Sequence, residues 1–83
     1  MYKLLVSFKA RKELKKISIF HKNAILDTLQ TLKEDPFLGK PLTRNMSGKF
    51  SYRVGVYRII YRINKKDRWV NILSAGHRSV VYD

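Results

Sequence analysis

The chain has 83 residues, 45% of them hydrophobic, which is enough for one globular domain with a single modest core. It contains no cysteine, which excludes disulfides and thiolate metal sites and fits a reducing, cytoplasmic setting. Eighteen basic residues against six acidic give a formal net charge of +12, and between Pro36 and Tyr82 the only acid, Asp67, faces ten lysines and arginines. Self-repulsion on that scale calls for a polyanionic partner. Nucleic acid comes first, an acidic protein segment second, and a membrane surface third, because no helical stretch sets a strongly apolar face against lysines. The apolar runs are too short to span a bilayer, and the first ten residues are charged too early for a secretory signal.

Taken in chain order, Tyr2, Leu4, Val6 and Phe8 alternate with Lys3, Leu5 and Ser7 as a short first strand. Ser7 can cap a helix running to about Ile17, with Ala10, Leu14 and Ile17 on its inner face and Lys9, Arg11, Lys12, Lys15 and Lys16 toward solvent. Ser18 reads as the next cap, before a longer helix over 19–34. Ile25, Leu29 and Leu32 form its inward stripe, extended by Phe20 or Ala24, and Asp35-Pro36 ends it. Residues 37–48, with Gly39, Pro41, Asn45 and Ser47, read as a connector.

From Phe50 to Arg62 aromatic and β-branched residues alternate with polar ones about Gly55-Val56, which suits a two-residue type II′ hairpin. That fold sets Val54 against Tyr57, Tyr52 against Ile59 and Phe50 against Tyr61 on an apolar face. The other face opposes Arg53 to Arg58, Ser51 to Ile60 and Lys49 to Arg62. Like charges in cross-strand register destabilise a sheet, so an anion between them is the natural occupant. Residues 64–67 make a second turn, Trp69 to Gly76 a further strand, and Val80 to Tyr82 a last short strand or tail. The expected architecture is an α+β two-layer fold, β-α-α-β-β-β over residues 1–83, with a helical hairpin on one face of a mainly antiparallel sheet and the other face partly open.

Planar guanidinium groups hold phosphate bidentately, so Arg53 and Arg58 are read as a phosphate clamp, with Lys49 and Arg62 extending the strip and Ser51 able to donate a hydrogen bond. His77 carries the imidazole nearest that region and can take up a proton near neutrality. Strict alternation from Val70 and Ile72 puts Arg78 on the helix side unless a bulge forms at Gly76. Tyr82 offers a ring for base stacking, Tyr57 belongs to the core, and His21 is solvated. Two histidines without a nearby carboxylate make no metal site, and no paired-carboxylate, Gly-rich phosphate or Ser-His-Asp motif is present.

Glu34-Asp35-Pro36, Gly39-Lys40-Pro41-Leu42, Tyr52-Arg53-Val54-Gly55, Tyr57-Arg58-Ile59-Ile60-Tyr61 and Gly76-His77-Arg78 with Val81-Tyr82, after the Lys-Glu-Leu-Lys-Lys pattern around Glu13, resemble the RelE/ParE toxin superfamily. The resemblance implies a toxin of a bacterial or archaeal toxin–antitoxin pair with a microbial-ribonuclease-like fold, no cofactor, and a cognate antitoxin as partner, in assemblies of higher order. Its RelE-like branch cleaves messenger RNA, generally in the ribosomal A site, by metal-free attack of the 2′-hydroxyl. On that resemblance Arg58 stabilises the phosphate, Arg53 is the basic strand residue, Arg78 follows the last strand, and Tyr82 stacks on or orients the substrate. His77 sits where relatives carry lysine or histidine. Ser51 departs from the pattern, standing where the best-known RelE-type enzyme has a lysine, which leaves His77 or Lys49 for the base. The ParE-like branch, which poisons DNA gyrase without cutting RNA, shares the fold. A non-catalytic nucleic-acid-binding module is the third reading.

Overall fold

The computed structural model describes residues 1–77. Its elements run β1 (Lys3–Val6), α1 (Phe8–Lys16), α2 (Ile19–Glu34), β2 (Lys40–Pro41), β3 (Phe50–Val54), β4 (Tyr57–Asn64) and β5 (Trp69–His77), with 3₁₀ turns at Pro36–Leu38 and Arg44–Met46. The five strands form one sheet in the order β1-β5-β4-β3-β2, antiparallel except for β1, which lies parallel to β5. Both helices pack on one face, giving the expected α+β layers.

The helices form where their caps and apolar spacing place them. Ser7 caps α1, its side chain accepting from the Ala10 N–H at 3.0 Å. Ser18 holds the corresponding position before α2 with extended backbone, yet its side chain makes no capping bond. Asp35 closes α2 and opens the following turn by accepting from the Phe37 N–H at 3.1 Å. Ala10, Ile17, Ile25, Leu29 and Leu32 are buried with Ile59, Tyr61, Val70 and Ile72 of the sheet and with Tyr2, which precedes β1. Phe20 does not extend that stripe; it stands 90% exposed, and Ala24 is exposed as well.

The connector carries a strand of its own. Lys40 and Pro41 pair with Ser51 and Phe50, adding a two-residue edge strand. Proline is tolerated there because an edge position needs no second ladder bond. The segment is pinned from below by Tyr61, whose hydroxyl donates to the Pro36 carbonyl at 2.7 Å and accepts from the Gly39 N–H at 2.9 Å. No helix among the described residues is long and apolar enough to cross a membrane.

Candidate nucleic-acid site

The β3–β4 ladder has the register that alternation implies. Val54 lies opposite Tyr57, Arg53 opposite Arg58, Tyr52 opposite Ile59, Ser51 opposite Ile60 and Phe50 opposite Tyr61. Gly55 has a positive φ of 60° and Val56 does not, the pattern of a type II′ turn, whose twist matches that of the strands it joins. Phe50 and Tyr61 stack at 5.6 Å on the helix side, so Arg53 and Arg58 project from the opposite face. Arg53 is exposed; Arg58 is half-buried, with its Nε shut off from solvent.

Lys49 precedes β3 and is not part of the ladder, so the expected Lys49–Arg62 strand pair does not form. Arg62 nevertheless reaches the residue before Lys49, Gly48. Its Nη1 lies 3.0 Å from where a Cβ on Gly48 would stand, and Gly48 sits at φ 89°. Arg53, Arg58 and Arg62 fall on one face by strand alternation, and Lys49 is half-buried.

The middle of this face is less open than alternation implies. Ile60, Ser74 and Ser51 lie between the arginines and are 2%, 5% and 8% exposed. Ser51 is thus a buried residue of this face. Asn71, opposite Arg62, has a buried Oδ1 with no hydrogen-bond partner.

His77 is placed on the other side of the sheet. β5 pairs Tyr57 with His77, Arg58 with Gly76 and Ile60 with Ser74, and then the register shifts so that Tyr61 meets Ile72. The extra residue is Leu73, so the bulge falls there and not at Gly76. Its effect is to put Gly76 beside Arg58 and to turn His77 toward Tyr57. The rings of Tyr57 and His77 stand 6.0 Å apart, and His21 of α2 meets Tyr57 at 5.3 Å. His21 is exposed as expected but packs on a ring as well. A hollow of about 270 Å³ opens between Lys16, Tyr57 and His77 on this helix side. Arg78 and Tyr82 lie outside the described residues, as does the segment Val80–Tyr82 read as a last strand or tail. Among the described residues no three histidine or carboxylate side chains converge as a metal ligand set.

Two side chains that organise this end of the sheet carry no assigned role in the motif reading. Glu13 and Ser7 both bond to β5. A signal for Glu13 was present: it is the one acid of a helix with five cations, and it falls three residues after Ala10 and four before Ile17, on the buried face.

The family model described as "ParE toxin of type II toxin-antitoxin system, parDE" matches residues 4–82. The chain belongs to the RelE/ParE toxin superfamily. It is 44% identical to Toxin RelG of Mycobacterium tuberculosis over 52 residues, a match that covers 61% of this chain and 60% of RelG. Among solved structures it is similar to the toxin–antitoxin complex RelBE2 from Mycobacterium tuberculosis, at 35% identity and a TM-score of 0.86 over 93% of this chain and 98% of that one. The isolated RelE toxin of Escherichia coli shares the fold, at 24% identity and a TM-score of 0.80 over 99% and 92% of the two chains. In this chain the toxin fold is a two-helix, five-strand frame with an arginine pair on the face turned from the helices.

Proposed function

We propose that this toxin is an endoribonuclease that cuts messenger RNA in the ribosomal A site, halting translation in the cytoplasm until a cognate antitoxin covers it. The observation that carries the reading is the Arg53–Arg58 pair, held in cross-strand register beside a two-residue turn. Two guanidinium groups so placed can take the non-bridging oxygens of one phosphate from two sides. Their attraction grows as the phosphorus becomes five-coordinate and negative charge gathers on those oxygens. Because a hairpin fixes them, little reorganisation is needed at that moment.

In the reaction the 2′-oxygen forms a bond to phosphorus and the bond from phosphorus to the 5′-oxygen breaks, leaving a 2′,3′-cyclic phosphate and a 5′-hydroxyl. Arg62 and Lys49 bind neighbouring phosphates. Arg78 adds a cation, and Tyr82 stacks on or orients a base, as the family motif implies. The route taken is the family's metal-free one, with the 2′-hydroxyl proton passing to a side chain that acts as base and the leaving 5′-oxygen taking a proton from a general acid or water. Of the two bases considered, His77 stands with Tyr57 on the far face from Arg58, which favours Lys49. The antitoxin's acidic or amphipathic segment meets the +12 charge, and a partner of that kind is supported by the likeness to RelBE2, which is a toxin–antitoxin complex.

The family model that matches carries the ParE description, and this favours gyrase poisoning as the second reading. Mapping RNA ends in a translating extract separates the two, run beside a gyrase supercoiling assay. New 5′-hydroxyl ends that require translation, reduced about 10²- to 10³-fold by Arg58→Ala, support the ribonuclease. Inhibited supercoiling with intact messages establishes the gyrase reading, and neither effect with salt-dependent RNA binding leaves a binding module. Unchanged cutting in the Lys49→Ala, His77→Ala double variant removes both as bases.

A further inference from the structure

Strand β5 outlasts its parallel neighbour. β1 ends at Val6, opposite Ile72, and beyond that point the outer edge of β5 has no strand beside it among the described residues. Helix α1 takes over. The Ser7 N–H donates to the Ile72 carbonyl at 2.9 Å, and the Ser7 hydroxyl donates to the Leu73 carbonyl at 3.1 Å. The Glu13 carboxylate then accepts from the Ser74 hydroxyl, at 3.0 Å to Oε1 and 3.3 Å to Oε2, and from the Ala75 N–H at 3.1 Å. Each residue from Ile72 to Ala75 is held, and the bulge at Leu73 lies in the middle of the four.

That bulge decides which side chains stand near the arginines, since a one-residue slip turns every later side chain to the other face. With Ile72 opposite Tyr61 and no bulge, Leu73 would meet Ile60, Ser74 would meet Ile59, Ala75 would meet Arg58 and Gly76 would meet Tyr57. Ser74 would then turn into the core against Ile59, and His77 would alternate onto the arginine face. With the bulge, Gly76 lies beside Arg58 and adds no side chain to its surroundings.

We infer that Glu13 is a positioning residue for the phosphate-holding arginine: it clasps the bulge that sets Gly76 beside Arg58 and keeps His77 with Tyr57. The inference rests on the ribonuclease reading for its effect on cutting, and on geometry alone for its effect on register. A carboxylate suits the task because it accepts from a hydroxyl and an amide together and makes stronger bonds than a neutral acceptor. Its charge sits among Phe8, Lys9, Lys12 and Lys16, which line a hollow with it, so the clasp is built in a cationic setting.

The test uses the full chain with Glu13→Ala and Glu13→Gln, read by cross-strand NMR contacts and by single-turnover cutting. Expected for alanine is loss of the Tyr57–His77 and Arg58–Gly76 contacts, a roughly 10- to 100-fold slower cutting step, and RNA affinity within about twofold of wild type, because misplaced groups slow chemistry while the cations remain. Glutamine keeps an acceptor for Ala75 and restores rate and contacts to within about threefold. A wild-type register in Glu13→Ala overturns the clasp. Lowered stability with wild-type cutting below the melting range reduces Glu13 to a structural role and overturns the positioning claim. Should Glu13→Ala fail to fold, Ser74→Ala removes one of the clasped groups and is read in the same way. The NMR arm does not depend on RNA cutting, so an inactive wild-type chain sinks the ribonuclease reading and still decides the clasp.

Discussion

In the β3–β4 hairpin, five residue pairs follow from a turn of two residues, while in the far half of β5 four residues are held by a helix more than sixty positions earlier. Both regions end beside Arg58, one fixing the partner across from it and the other fixing what lies on its far side. The hairpin registers itself, because its turn glycine and its alternation agree. β5 does not, because nothing within it distinguishes a bulged strand from a straight one. A site assembled from both inherits its cations from the local region and its clearances from the remote one.

The contrast can be broken at two glycines, and the remote one should matter more. Gly39 lies under Tyr61, and a Cβ there would overlap the buried hydroxyl that holds Pro36 and Gly39 itself. A methyl group on Gly55 would meet nothing within 4 Å, so that position needs glycine only for its φ of 60°. Gly39→Ala is expected to cost about 3 kcal/mol, from overpacking together with two strained hydrogen bonds. Gly55→Ala should cost about 1 kcal/mol, the backbone penalty alone. Urea unfolding of the two variants gives the order, and equal losses would mean that the Tyr61 latch yields without strain.

Tyr61 gives the second test, of intermediate size. Burial pushes its phenol up to about 12 from 10, with the Gly39 N–H pulling the other way and Asp35 and Tyr52 adding to the rise. The neutral hydroxyl is the form the fold keeps. Its contribution is therefore complete below pH 10 and is lost as pH rises through 12. Tyr61→Phe leaves the Gly39 N–H and the Pro36 carbonyl without their partner, a cost of about 1–2 kcal/mol near pH 7. Above about pH 10 the gap between wild type and variant should narrow. Unfolding curves at about pH 8 and pH 11 check it, and a gap that stays constant would separate the latch from the proton.

What was legible in the sequence follows the same division. Arg53 opposite Arg58 could be placed from Gly55 and the alternation about it, and the helix stripes of Ala10, Ile17, Ile25, Leu29 and Leu32 from their spacing. The caps were half legible: Ser7 uses its side chain and Ser18 does not, though both precede a helix. β2 was hidden because two residues, one of them Pro41, carry no period, and its pairing is chosen by β3. The place of β1 beside β5 and the face of His77 were hidden for a different reason. Both depend on hydrogen bonds to residues far away in the chain, and an unmarked Leu73 gives no local sign that it is the extra residue. Ser51 could be named but not placed, since its burial is a property of the whole face.

The smallest effect on stability carries the sharpest statement about function. Arg53→Glu puts a carboxylate across from Arg58 in a register that is already set, exchanging like charges for opposite ones. The fold should gain on the order of 0.2–1 kcal/mol, the scale of a cross-strand ion pair on an exposed face. RNA cutting should fall by about 10²-fold or more, because one of the two cations is lost and a negative charge then faces the phosphate. Opposite signs for stability and cutting, measured by thermal unfolding and by single-turnover cleavage of one preparation, are what a phosphate clamp requires. A variant that is more stable and still cuts would mean that the arginine pair is surface charge without a ligand. For the fold alone an acid at position 53 is the better choice; two arginines opposed across a tight turn make physical sense when a third, anionic party comes between them.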